Sequence, residues 1–279
     1  MKIIITAEST VDLTDEIKNK YNIKTVPFTI LLGEQTYHDG EIDITKISDF
    51  VKETKKLPKT SAVNEYQYDE FFTELLKEND AIIHFTLSSE MSSAYNNAVA
   101  SASKLKNVFV VDSRTLSTGI ALLAIKACNM VKDGFSPEQI VSACEKLTAK
   151  VQASFVINSL DFLYKGGRCN ALQRFGANLL KLKPCITVKE GKMGVSKNYR
   201  GKWTECLKLY YNDLMSSYKN IDKEQVFITY TTATPEIVDY LKECLTLDGF
   251  KNIYITTAGG TVTSHCGENT LGVLFISND

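Results

Sequence analysis

Histidine occurs at only three positions in 279 residues, His38, His84 and His265, so the chain has no material for a His-rich metal site. Cysteine occurs seven times, at 128, 144, 169, 185, 206, 244 and 266, but never as C-x-x-C. An odd count without paired spacing, partly inside apolar periodic segments, argues for reduced and mostly buried thiols. It argues against a disulfide framework or structural zinc. No run approaches the ~20 apolar residues that span a bilayer. The opening Met1-Lys2-Ile3-Ile4-Ile5-Thr6 is too short for a signal peptide and soon reaches an acid at Glu8, so a cytoplasmic protein is expected. Neither charge sign dominates. Lys and Arg number 32, Asp and Glu 33, and a net charge of −1 spread along the chain does not suit a nucleic-acid partner. Three motifs are missing too: the G-x-S-x-G nucleophile elbow, G-x-x-x-x-G-K-[ST] and G-x-G-x-x-G. Their absence removes the usual devices of serine hydrolases and nucleotide-binding folds.

What remains is an ordinary globular composition, 44% hydrophobic and 23% charged, long enough for one large or two ordinary domains. The first half alternates strand and helix. Strands are expected at 2–6, 24–32, 81–87 and 107–111, and helices near 15–20, 45–55, 64–77, 118–132 and 137–148, with Pro137 in a first helical turn. Residues 59–61 read as a loop after Pro58. Such alternation implies right-handed crossovers and a parallel sheet with helices on its faces, an α/β architecture. The second half differs. Residues 151–157 alternate partly with period two, and 184–189 and 193–197 flank Glu190-Gly191-Lys192, a hairpin signature. Strands near 225–230, 252–257 and 271–276 follow, with helices near 203–216 and 235–244. This half reads as an α/β domain with a largely antiparallel sheet. The boundary falls near residue 150, giving domains 1–150 and 151–279.

The most informative stretch is Phe85 to Tyr95. It reads as a strand end, a turn with Ser88, Ser89, Ser92 and Ser93, and a helix capped by Ser92 or Ser93, with Ala94, Ala98 and Ala102 behind it. Free N–H groups, hydroxyls and a helix N-terminus suit a bound anion, although serine also caps helices with no ligand at all. Ligands of doubly wound sheets bind beyond the carboxyl ends of the strands. Glu8-Ser9-Thr10, Ser88 to Ser93 and Asp112-Ser113 all occupy such ends, and Thr60-Ser61 is a further candidate beside them.

His265, in Gly259-Gly260-Thr261-Val262-Thr263-Ser264-His265-Cys266-Gly267, reads as part of a polar loop between strands. It is either a surface residue or a hydrogen-bond donor to a ligand anion, and it is the one plausible base for a serine nucleophile. Lys165-Gly166-Gly167-Arg168 permits close backbone approach or positive φ. Its Arg168 either pairs with a carboxylate or phosphate or ends a helix in solvent.

These motifs together resemble the DegV family of bacterial fatty-acid-binding proteins over nearly the whole chain. Glu8-Ser9-Thr10-Val11-Asp12-Leu13 is similar to its D-S-T-A-D-L, with Glu for the first Asp. Lys59-Thr60-Ser61 matches the start of T-S-Q-P-S, after which Ala62-Val63-Asn64 departs. Ser88 to Tyr95 resembles S-S-G-L-S-G-T-Y, and Val111-Asp112-Ser113 matches V-D-S. Leu160 to Arg168 resembles L-x-x-L-x-K-G-G-R-I-S, with Cys169-Asn170 for I-S. Leu182-Lys183-Pro184 followed by Gly191 is similar to K-P-I-L…G. His265-Cys266-Gly267 with Leu271-Gly272 resembles H-x-G-P-G-x-x-G, with Glu268-Asn269 for P-G.

The resemblance implies a two-domain protein that is not itself an enzyme and needs no cofactor. It implies one long-chain fatty acid held in an apolar tunnel between the domains. A separate ATP-dependent fatty acid kinase would phosphorylate the carboxylate, and the acyl phosphate would feed phospholipid synthesis, with transient contact at a membrane surface. Carried over to this chain, the carboxylate contacts are Thr60 and Ser92, with Ser61, Ser89 and His265 nearby. Arg168 falls at the kinase face or near the head group. Two other readings stay open: an esterase or acyltransferase using Ser92 or Ser89 with His265, and a sensor or scaffold with a structural lipid.

Overall fold

A computed structural model describes residues 1–168 and 182–279; Cys169 and Asn170 lie outside the described residues. Four parallel strands form the first sheet: β1 (Ile3–Glu8), β2 (Lys24–Val26), β6 (Ala81–Thr86) and β7 (Val108–Asp112), in the order β2-β1-β6-β7. The apolar runs of β1 and β6 follow from burial on both faces. Ile5, Ala7, Ile83 and Phe85 pack on one side, and Ile4 and Ile82 on the other. The first face receives α1 (Asp15–Tyr21), α5 (Thr118–Lys132) and α6 (Pro137–Thr148). The second receives α3 (Glu65–Leu76) and α4 (Ala94–Ala102).

A small antiparallel sheet, order β4-β3-β5, joins β3 (Thr29–Leu32), β4 (Gln35–His38) and β5 (Lys59–Ser61), with α2 (Ile44–Thr54) between β4 and β5. Here the structure corrects the sequence reading twice. The strand expected over 24–32 breaks at Pro27, and its halves serve different sheets, because proline cannot donate to a ladder. Residues 59–61, read as a loop, form β5, whose strand character comes from pairing Thr60 with Ile30.

The larger sheet runs β11-β10-β9-β14-β12-β13, with β8 on β14. It comprises β8 (Val151–Gln152), β9 (Ser154–Ile157), β10 (Leu182–Lys189), β11 (Lys192–Arg200), β12 (Ile221–Tyr230), β13 (Asn252–Thr257) and β14 (Thr270–Ser277). Every pair in it is antiparallel except β12 with β13. The β10–β11 hairpin turns at Glu190-Gly191, as expected, with both residues at positive φ. Helices α7 (Asp161–Gly166), α8 (Trp203–Ser217), α9 (Pro235–Leu247) and α10 (Gly260–Cys266) accompany this sheet.

Helix α5 is buried on nearly all sides from Thr118 to Cys128 and packs against strands of both large sheets, β1 and β6 on one side and β12 and β14 on the other. A helix apolar all round belongs in such a core. Among the described residues, all six cysteines are free thiols, and no helix is long and apolar enough to cross a membrane.

Candidate functional site

The carboxyl ends of the parallel strands open onto a cleft of about 270 Å³. Its polar lining is Thr10, Thr60, Ser61, Ser92, Ser93, Thr261, His265 and Arg168. Its apolar lining includes Phe28, Leu87, Met91, Leu116, Leu163 and Met193. Five pieces of backbone bring the polar groups together, the segment after α7 that carries Arg168 among them. Thr10 lies in the single 3-10 turn Ser9–Val11 after β1, and Thr60 on β5. Ser92 precedes α4, where its Oγ accepts the Ala94 N–H at 3.2 Å, while Ser93 in the cap position makes no side-chain cap. His265 sits in the last turn of α10.

Of the residues singled out in the sequence, Thr60, Ser61, Ser92, His265 and Arg168 line this one cleft, and Ser89 does not. Arg114, at positive φ, draws the Ser89 hydroxyl away at 3.2 Å, and the Ser89 N–H donates to Asp112 Oδ1 at 3.2 Å. The hairpin tip seals the serine turn from the opposite side: Ser88 Oγ donates to the Gly191 carbonyl at 2.8 Å, and Arg114 donates to that of Glu190.

His265 Nε2 lies 2.8 Å from Thr60 Oγ1. Burial, with a smaller contribution from the nearby Arg168 charge, holds the imidazole down at about 4, so it is neutral at pH 7. Its Nδ1 is buried without a partner among the described residues and faces Gly166, where a Cβ would come within 2.8 Å of it. Gly166 thus provides the close approach, and Gly167, at φ 70°, the left-handed helix end that its sequence allowed. Arg168 is exposed at the rim and donates to the Gly166 carbonyl at 2.6 Å.

The loop expected around His265 is corrected to a helix. Residues 260–266 are helical because carboxylates from the other half of the chain take the first N–H groups: Gly259 donates to Asp12 at 2.8 Å and Gly260 to Asp39 at 2.7 Å. The helix also explains a residue the sequence reading missed. Thr261 lies one turn before His265 and lines the same cleft; its buried hydroxyl has no partner among the described residues.

A serine nucleophile needs a base within hydrogen-bond reach and a group that orients the base. Among the described residues neither Ser89 nor Ser92 is bonded to His265, whose partner is Thr60, and no carboxylate contacts Nδ1. The arrangement is a cluster of hydroxyls facing a cleft that apolar side chains share.

Against known proteins, residues 2–278 match the family described as uncharacterised proteins of the DegV family. A DegV domain-containing protein of Caldanaerobacter subterraneus is 30% identical over 281 residues, 98% of either chain. The structure of a fatty-acid-binding DegV family protein from Thermus thermophilus superposes with a TM-score of 0.91 at 25% identity, covering 99% of this chain and 100% of that one. A stearic-acid-binding protein from Eubacterium ventriosum gives 0.85 at 26% identity, covering 98% and 97%.

Proposed function

The chain belongs to the DegV family, and from that premise we propose that it binds one long-chain fatty acid in the cleft, with the carboxylate at the hydroxyl end and the tail along the apolar walls. We read the chain as two domains, 1–150 and 151–279, with the ligand between them. The observation that carries this reading is the convergence of the hydroxyls of Thr10, Thr60, Ser61, Ser92 and Thr261 on one cleft whose walls also include Phe28, Leu87, Met91, Leu116, Leu163 and Met193. An apolar pocket with a few convergent polar groups is the usual form of a small-molecule site.

The neutral imidazole fits a positioning role. With Nε2 protonated, His265 donates to Thr60 Oγ1, and the threonine hydroxyl is free to turn its own proton to the ligand carboxylate. Affinity comes mainly from the tail, at about 0.8 kcal/mol per buried methylene. The hydroxyls set orientation. Unlike a bidentate guanidinium, they leave one carboxylate oxygen open to attack on a phosphoryl donor. The carrier then presents the acid to a separate ATP-dependent kinase, with Arg168 at the exposed rim where the two proteins meet, and the acyl phosphate passes toward phospholipid synthesis.

Hydrogen bonds to a charged group contribute about 1.5–3 kcal/mol. Thr60→Ala and Ser92→Ala are each therefore expected to weaken palmitate binding by roughly tenfold to a hundredfold in calorimetric titration. Values within twofold of wild type for both would remove these residues from the head-group site.

A further inference from the structure

Two buried carboxyl groups that the ligand chemistry leaves unused lie beside the start of α10, outside the lining of the cleft. Asp12 and Asp39 are both buried, and they meet at the N-terminus of α10. Asp12 Oδ1 accepts the Gly259 N–H at 2.8 Å, and its Oδ2 lies 2.5 Å from Ser117 Oγ. Asp39 Oδ1 accepts the Gly260 N–H at 2.7 Å, while its Oδ2 accepts from Ser9 Oγ at 2.9 Å; that same hydroxyl takes the Phe28 N–H at 3.0 Å. The tolerance is small. A Cβ on Gly259 would lie 3.0 Å from Asp39 Oδ1 and 3.1 Å from Asp12 Oδ1, and one on Gly260 would lie 2.4 Å from Ile30 Cδ1.

Every arm of this junction ends beside a residue of the cleft wall. Thr10 lies between Ser9 and Asp12, Phe28 is bonded to Ser9, Leu116 precedes Ser117, and α10 carries Thr261, Val262 and His265. We propose that the Asp12–Asp39 pair is the clamp that positions α10 and its His265, and that ionisation of Asp12 beside Asp39 loosens α10 and releases the ligand. The release step rests on the fatty-acid reading of the cleft; the clamp does not.

The surroundings leave the pair without a counter-cation. Among the described residues neither acid has a Lys, Arg or His partner. On α10, His265 is neutral and the Cys266 thiol is pushed up to about 12 by burial. On β1, Glu8 is engaged by Tyr68 and the Leu87 N–H. Lys46, Asp49, Lys52 and Glu53 of α2, Lys59 of β5, and Asp161 and Lys165 of α7 are exposed, as is His38 beside Asp39. Arg114 is turned to Glu90 and Asp112. Two adjacent carboxylates cannot both ionise cheaply in such a site. Burial, with the charge of Asp39 adding to it, pushes Asp12 up to about 8, against the hydrogen bonds from Ser117 and Gly259. Its folded value lies above the unfolded one. Its stabilisation is thus fully present in acid and lost as pH rises through about 8.

The test is amide hydrogen exchange across residues 259–266 of the ligand-free full chain at pH 6.5 and pH 9, corrected for intrinsic rates, with palmitate affinity measured in parallel. Wild-type protection is expected to fall at least tenfold at the higher pH, and palmitate binding to weaken by a similar factor. Asp12→Asn, which keeps the shape and hydrogen-bonding reach of the protonated acid, is expected to show flat profiles in both. Ser117→Ala removes a hydrogen bond that favours ionisation, so it should move the midpoint to higher pH; it serves as the check if Asp12→Asn does not fold. Unchanged wild-type protection, or an unmoved midpoint in Ser117→Ala, would overturn the clamp. The expected exchange behaviour without palmitate binding at either pH would leave the clamp standing and overturn the fatty-acid reading.

Discussion

Glu8→Ala is expected to destabilise the protein by about 3–5 kcal/mol, because it leaves a buried and a partly buried donor without acceptors at about 1–3 kcal/mol each and opens a void beside them. Glu8 is fully buried. Its Oε1 accepts the Tyr68 hydroxyl at 2.6 Å, its Oε2 accepts the Leu87 N–H at 2.6 Å, and the Thr10 hydroxyl lies 3.4 Å from Oε2. One side chain thus ties the end of β1 to the end of β6 and to α3. Since Leu87 and Thr10 both line the cleft, the site should loosen with the fold. Glu8→Gln keeps an acceptor for the Leu87 N–H and should cost clearly less. Urea denaturation followed by far-UV circular dichroism gives both numbers. A loss below about 1 kcal/mol for Glu8→Ala would deny Glu8 this role.

The second large effect concerns the ligand. If the tail supplies the affinity, each added methylene should tighten binding about fourfold, from about 0.8 kcal/mol per buried CH₂. Four methylenes separate laurate from palmitate, so their dissociation constants should differ by about 200-fold. Thr60→Ala should shift both ligands by the same factor and leave that ratio intact. A ratio near one would mean that the tail lies outside the cleft, and that the hydroxyl cluster holds some other anion.

The two sheets and their helices were legible wherever local pattern and tertiary environment agree. The apolar runs of β1 and β6 announced burial on both faces. Pro137 marked the start of α6, where the structure adds a capping box between Ser136 and Gln139. Glu190-Gly191 marked the hairpin that seals the serine turn. What could not be read depends on partners distant in sequence. Helix α10 begins at Gly260, directly after Gly259, and contains three threonine or valine residues. Its first N–H groups are met by acids 247 and 221 positions away, and no local signal announces that. The three residues of β5 are a strand only because β3 lies beside them.

The candidate cleft was legible in part. Thr60, Ser61, Ser92, His265 and Arg168 stood in separate motifs, and the fold brings them to one cleft. Ser89 was equally plausible in the sequence but is claimed by Arg114, a contact that needs the turn after β7 to be known. Thr261 went unnoticed because its spacing from His265 has meaning only in a helix.

The most direct test of a lipid carrier is the mass of the protein purified from a bacterial host, measured under native and then denaturing conditions. The expected result is a native mass exceeding the chain by one long-chain fatty acid, with the excess lost on denaturation. A chain that carries no such excess, and takes up no palmitate when it is added, would contradict the account.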